Sequence, residues 1–288
     1  MNATIENVSD TAFWVAHYRS VETTRDDALF RDPLAGVLAG DRGKSIAEAM
    51  PRGFMTSWVI AIRTRIIDDF IRTAVDQGVD TVLNLGAGLD TRPYRMDLPS
   101  SLVWIEADYP HVIAYKEERL AGETPRFQLT RIKCDLADVG ERRQLFATTN
   151  AHAKKLLVLT EGVVPYLNAE EVAALADDLR VLDHAVGWLV DFYTPELIKT
   201  RERMMGNRLK NAPFRFRPDD WFGFFEEHGW RTAEIRYLGE EADRLGRPVE
   251  MPLPVKLIVM LRTMFMSKAR RERFQKAAGY AMLVPSAK

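Results

Sequence analysis

Four short polar groups close four successive apolar runs of this chain: Gly86-Ala87-Gly88, Glu106-Ala107-Asp108, Asp135-Leu136 and Glu161-Gly162. From Gly86 they recur at intervals of about 22, 27 and 26 residues, near the length of one strand-plus-helix unit. The spacing sets a glycine turn or a carboxylate at each of four strand ends, where open parallel sheets bind their ligands. The chemistry suits a nucleoside cofactor. Glycines without Cβ admit a ligand to the backbone and would offer amide donors at the next helix. An acid about 20 residues on can accept two hydrogen bonds from ribose hydroxyls. Asp135 can take one from an exocyclic amino group while Leu136 packs near the ring, and Glu161 suits a cation.

Other nucleotide chemistries fit less well. The dinucleotide fingerprint GxGxxG wants glycine or alanine where this chain has Thr91. No GxxxxGK[ST] loop is present, so an NTPase has no support. Any one of these carboxylates alone would read as a helix cap or a surface ion pair, and the recurrence at one rim is what argues for a site.

The elements that must position them follow from periodicity. Apolar runs at 81–85, 102–107, 130–134, 155–160 and 186–192, with helix-compatible stretches in most gaps, predict a mainly parallel sheet flanked by helices, an α/β fold. The segment AEEVAALADDLRVLDH, opened by Asn168 as an N-cap, is the clearest crossover helix. Residues 58–78 space large apolar residues by three and four and close at Gly78. Residues 1–57 read as a helical cap: TAFWVAHYRSVE, then DDALFRDPLAGVLAG broken at Asp32-Pro33, then a segment ending at Pro51. Beyond 193 come a charged and aromatic stretch, helical at first, a short Asp-capped helix in DDWFGFFEEHGW, a strand in RTAEIRYLG, an apolar excursion over 251–277 and a last strand, GYAMLVP. This reads as one domain: cap 1–57, cofactor-binding core 58–192, and remaining strands with substrate-covering insertions over 193–288.

The formal charge of -1 gives no reason to expect nucleic acid. Cys134 is the one cysteine, so no internal disulfide is possible, and no signal-like start precedes the first helix, which together predict a cytoplasmic protein. The run LIVMLRTMFM is far short of the roughly 20 residues of a membrane span, and no membrane partner is expected. No histidine or cysteine cluster suggests a metal. Oligomeric state is left open.

The blocks NLGAGLDTRPYR, IEADYP, CDL and LTEGVVPYL, with TAFWVAHYRSVE, DALFRDPLA and RTRIIDDF, resemble the leucine carboxyl methyltransferase family, and more closely its bacterial small-molecule O-methyltransferase branch. The likeness covers roughly residues 10–195. It implies a class I methyltransferase, Rossmann-like, with S-adenosylmethionine as cofactor. By matching position, Gly86, Ala87 and Gly88 would face the methionine part, Asp108 the ribose, Asp135 and Leu136 the adenine, and Glu161 the amino-acid end. Arg63 is the match for an arginine that binds the methionine carboxylate in the family, with Arg65 next. Arg19 would be a further basic contact from the cap, and Tyr109, Tyr166 and Tyr193 are candidate cofactor or substrate contacts.

The reading is then an O-methyltransferase acting on a small apolar acceptor, most simply a carboxylate. A carboxylate with pKa near 4 is ionised at neutral pH and needs no base, whereas a phenol near 10 would benefit from one. Only His111 lies near the predicted rim, and it reads first as a helix N-terminal histidine, so no catalytic residue is assigned. Arg215 and Arg217 could pair with an acidic substrate. Met260, Met264 and Phe265, with the N-terminal helices, are expected to cover an apolar acceptor. The alternatives are a phenol or hydroxyl O-methyltransferase, an NAD-type oxidoreductase, and a non-catalytic nucleoside-binding module.

Overall fold

The computed structural model describes residues 5–264 and 266–287. Three helices come first: α1 (Asp10–Thr23), α2 (Pro33–Ala49) and α3 (Gly53–Asp76). Asp32 and Pro33, expected to mark a break, do so as a helix start. The Asp32 carboxylate accepts from the Ala35 amide at 3.1 Å while proline occupies the first turn, where no amide is needed. The residues before it, 24–32, are not helical as expected but form turns and irregular chain. The third helix begins earlier than its apolar stripe suggested and ends as expected, with Gly78 at φ 91° just beyond it.

The alternating core follows: β1 (Thr81–Leu85), α4 (Arg92–Arg95), β2 (Val103–Asp108), α5 (Pro110–Arg119), β3 (Gln128–Lys133), α6 (Val139–His152), β4 (Leu156–Thr160), α7 (Ala169–Arg180) and β5 (Ala185–Tyr193). The expected cap at Asn168 is a full capping box with Glu171. Then come α8 (Pro195–Met205), α9 (Trp221–Glu227), β6 (Trp230–Tyr237), α10 (Leu238–Arg244), α11 (Leu253–Met264), α12 (Lys268–Gln275) and β7 (Ala278–Pro285). Asp220 caps α9 as predicted, through the Phe222 and Gly223 amides. The helix α10 was not anticipated, because its first residues read as the end of the preceding strand.

The seven strands lie in the order β3-β2-β1-β4-β5-β7-β6, parallel except for β7, which is antiparallel to both neighbours. One face packs Leu83, Val158, Trp188 and Val190 against Phe146, Leu175, Phe225 and Trp230. The other packs Val82, Leu157, Leu159 and Leu189 against Ile62, Ile66 and Phe70 of α3. On that second face, apolar side chains give way to polar ones near the carboxyl ends: Asn84 on β1, Glu161 just after β4, Asp191 on β5, and its register partner Tyr280 on β7. The N-terminal helices form a further cluster in which Trp14, Tyr18, Met50 and Ile60 meet Met205, Leu209 and Ala212. Cap and α8 region thus share one core.

Candidate functional site

Gly86 and Gly88 sit at φ 62° and 49°, the left-handed region that glycine enters without steric cost. A Cβ on Gly86 would come within 2.5 Å of the Val163 side chain, and one on Gly88 within 3.2 Å of Ala12 Cβ. The loop is therefore pressed between the turn after β4 and the first helix. Its amides are spent inward, contrary to the expectation that they would be offered to a ligand. Gly86 and Ala87 donate to Ala107 O at 2.8 and 3.2 Å, and Gly88 donates to Asp108 at 2.6 Å. With its amides so used, the loop is not a pyrophosphate cradle, and α4 is only one turn long. The dinucleotide reading loses its main support.

Asp108 ends β2, buried, with one oxygen on the Gly88 amide and the other on the Tyr109 amide at 2.7 Å. Burial raises its pKa above the usual carboxylate range, and those two amides oppose the rise. Each carboxylate oxygen has a second lone pair, so the pair can still accept from two hydroxyls. The Tyr109 ring is exposed and stacked on His111 at 5.7 Å. Asp135 is half-buried, accepting from the Ala137 amide at 2.9 Å, and Leu136 packs on the edge of the core. All of these lie along one rim, as the spacing predicted.

Glu161 is held by two arginines, Arg63 at 2.7 Å and Arg92 at 2.8 Å. Burial alone would raise its pKa, but Arg92 and Arg63 outweigh that and hold it low. The cation expected at Glu161 is thus supplied by the protein. Arg92 also grips Asp90 at 2.9 Å and Asp68 at 2.7 Å, and Arg95 closes on Asp68 at 2.6 Å. Asn84 completes the array by donating to Asp90 at 2.9 Å. Next to Glu161, Asp191 accepts from the Gly162 amide at 2.9 Å and from the Tyr280 hydroxyl at 3.0 Å. Its pKa is pushed up to about 6, by burial first, against the pull of Arg63. Neither Asp191 nor Tyr280 was among the expected residues. The signal was available: each is a polar side chain inside an otherwise apolar strand, VGWLVDFY and AGYAMLVP.

The other candidates divide. Arg65 turns outward to Asp69 at 2.9 Å and does not join the array. Arg19 is buried on Asp32 at 2.9 Å and donates to the Leu89 carbonyl, while Thr91 bonds the same carboxylate at 2.6 Å. Arg19 therefore ties the cap to the glycine loop. Tyr166 and Tyr193 both meet the Phe214 ring, at 5.2 Å each, and the Arg201 guanidinium lies 3.8 Å from the centre of that ring. Arg201 was not singled out by sequence. Arg217 is taken up by Glu202 and the Phe214 carbonyl, and Arg215 is exposed.

Two observations test whether a sulfonium nucleoside amino acid would fit here. Asp108 keeps unused acceptor capacity at the ribose position, and Arg63, mostly buried, has an Nε with no hydrogen-bond partner among the described residues. A carboxylate is the group that such a nitrogen lacks. The residues fit.

The sheet order, with β7 antiparallel between β5 and β6, is that of the class I methyltransferase fold. The leucine carboxyl methyltransferase family profile matches residues 12–180. The chain therefore belongs to that family, and S-adenosylmethionine is its cofactor. A Frankia alni protein is 30% identical, with 88% of this chain and 93% of that protein covered, and a Mycobacterium avium protein is 32% identical over 85% and 86%. Both carry the name "Putative S-adenosyl-L-methionine-dependent methyltransferase". Among solved structures, a Thermobifida fusca "putative methyltransferase" shares the fold, with a TM-score of 0.50, 13% identity and 94% of each chain covered.

Proposed function

We propose that this methyltransferase transfers a methyl group to an oxygen of a small apolar molecule, and that the oxygen belongs to a carboxylate. When bound, S-adenosylmethionine supplies a methyl group made electrophilic by the sulfonium. The chain has to hold the cofactor, orient the acceptor in line with that methyl and exclude water. Arg63 would take the amino-acid carboxylate through its unpaired, buried Nε, with Glu161 fixing the guanidinium. Asp108 would take the ribose hydroxyls, and Asp135 with Leu136 the adenine.

The observation that carries the acceptor reading is Arg201. It lies over Phe214, the ring that Tyr166 and Tyr193 also meet, and no ion pair among the described residues takes it up. A guanidinium in an aromatic setting recognises an organic acid, pairing with the carboxylate while the rings bury the apolar remainder. Such an acceptor is ionised at neutral pH and needs no base. The N-terminal cap and the α8 region, joined in one core, would keep water from it.

Turnover against a panel of apolar carboxylic acids and phenols, followed by mild alkali, tests this. Methyl esters cleave and aryl methyl ethers survive, so alkali-stable products alone would overturn the carboxylate assignment. Calorimetry with S-adenosylhomocysteine tests the cofactor geometry: Arg63→Met should weaken binding by roughly ten- to a hundredfold, as loss of a charged hydrogen bond does, while Arg65→Met should leave it unchanged.

A further inference from the structure

The excursion between β6 and β7 does not behave as the expected cover for an acceptor. In α11 the side chains of Leu253, Leu257, Met260 and Leu261 are all more than half exposed. Their spacing of four, three and one sets them on one helix face. Of the other residues expected in that cover, Phe265 and the Met264 side chain lie outside the described residues. The partner of the N-terminal cap is instead the α8 region. Next in the chain, α12 buries none of its residues and exposes Phe274 at 72%. Between 253 and 276 there are seven lysines and arginines and one acid, in a chain whose formal charge is -1. The positive charge is therefore local, and the rest of the chain is acidic.

We propose that α11 and α12 form a docking surface for an anionic lipid bilayer, with α11 lying in the interface and α12 against the headgroups. A face of leucines and methionine beside a run of arginines and lysines is what an interfacial amphipathic helix presents: apolar groups enter the headgroup boundary and the cations pair with acidic lipid. A protein partner would satisfy the apolar face and leave the basic run unexplained. Nucleic acid would satisfy the basic run and leave the leucines in water. At 12 residues α11 is about 18 Å long, and no described helix is long and apolar enough to cross a membrane. The helix lies on the bilayer without spanning it. An apolar methyl acceptor that partitions into lipid would then be met at the surface where it is concentrated.

The full chain is mixed with vesicles of phosphatidylcholine alone, or of phosphatidylcholine with phosphatidylglycerol, and sedimented. Affinity should be at least tenfold higher for the anionic vesicles and should fall as salt is raised. Leu257→Asp with Leu261→Asp should abolish sedimentation, and Arg270→Glu with Arg271→Glu should cost about tenfold or more. Both are exposed pairs, so unchanged thermal unfolding will show that the fold is intact. Equal binding to neutral vesicles, binding that neither double variant disturbs, or no sedimentation would each overturn the proposal. So would a dimer in light scattering that Leu257→Asp with Leu261→Asp dissociates, or retention on RNA in place of vesicles.

Discussion

Asp191 should make the stability of this protein fall with rising pH across a window where most carboxylates do the opposite. Its folded pKa is pushed up to about 6 by burial, against about 3.9 for the unfolded chain. Below pH 4 both states hold the proton. Between pH 4 and 6 the folded state holds more protons than the unfolded one, so unfolding becomes easier as pH rises, by about 1.4 kcal/mol per pH unit. Above pH 6 the full loss, about 3 kcal/mol, is in place. For a chain of 288 residues, at roughly 2 cal/mol/K of unfolding entropy per residue, that is about 5 °C in Tm. Asp191→Asn removes the titration and keeps the geometry: its carbonyl can accept from the Gly162 amide, and its amide can donate to the Tyr280 oxygen if that hydroxyl turns. Scanning calorimetry of both proteins from pH 4 to 7 isolates the effect, because Asp68, Asp90 and Glu161, with lowered pKa values, and Asp108, with a raised one, are present in both proteins and largely cancel in the comparison. The wild type should lose about 4 °C relative to the variant between pH 4 and 7, most of it before pH 6. Parallel curves would refute the assignment of a raised pKa to Asp191.

Two further outcomes are expected. Gly86→Ala should lower stability by about 1–3 kcal/mol in urea unfolding, since its Cβ would press on Val163 at a φ of 62°, and Val163→Ala should restore only the part due to the clash. Asp32→Ala leaves Arg19 buried without its carboxylate and removes the cap of α2. It should cost about 3–5 kcal/mol, read as a lower urea midpoint, and Arg19→Met in the same chain should recover part of it.

The centre of the sheet was legible because β1 and β4 are short apolar runs buried on both faces, so TVLNL and LLVLT needed no context. Helix starts were legible where one residue does the capping, as at Asn168 and Asp220. What escaped is of another kind. Asp68, Arg92, Arg95 and Glu161 neutralise one another across gaps as long as 69 residues, and no local pattern encodes a charge pair that the fold assembles. Arg92 belongs to the turn after β1 through the Asp90 bond, but its grip on Glu161 is tertiary. The rim acids were found from recurrence alone, whereas Arg201 depends on where Phe214 falls. Arg63 and Arg65 carry the same side chain two residues apart on one helix, and only the direction each faces separates them.

The position of β7 bears on the order in which the site comes into being. Its neighbours are β5, which precedes it by more than 80 residues, and β6, which at the sheet edge pairs with β7 and no other strand among the described residues. As the chain leaves the ribosome, the first five strands can assemble while β6 waits without a sheet to join. When β7 slides between β5 and β6 it brings the Tyr280 hydroxyl to Asp191, so the last two strands of the sheet and the last hydrogen bond of the polar array arrive in one event. A nascent chain stalled before β7 would have every residue of the strand-end rim and an open seam beside Asp191.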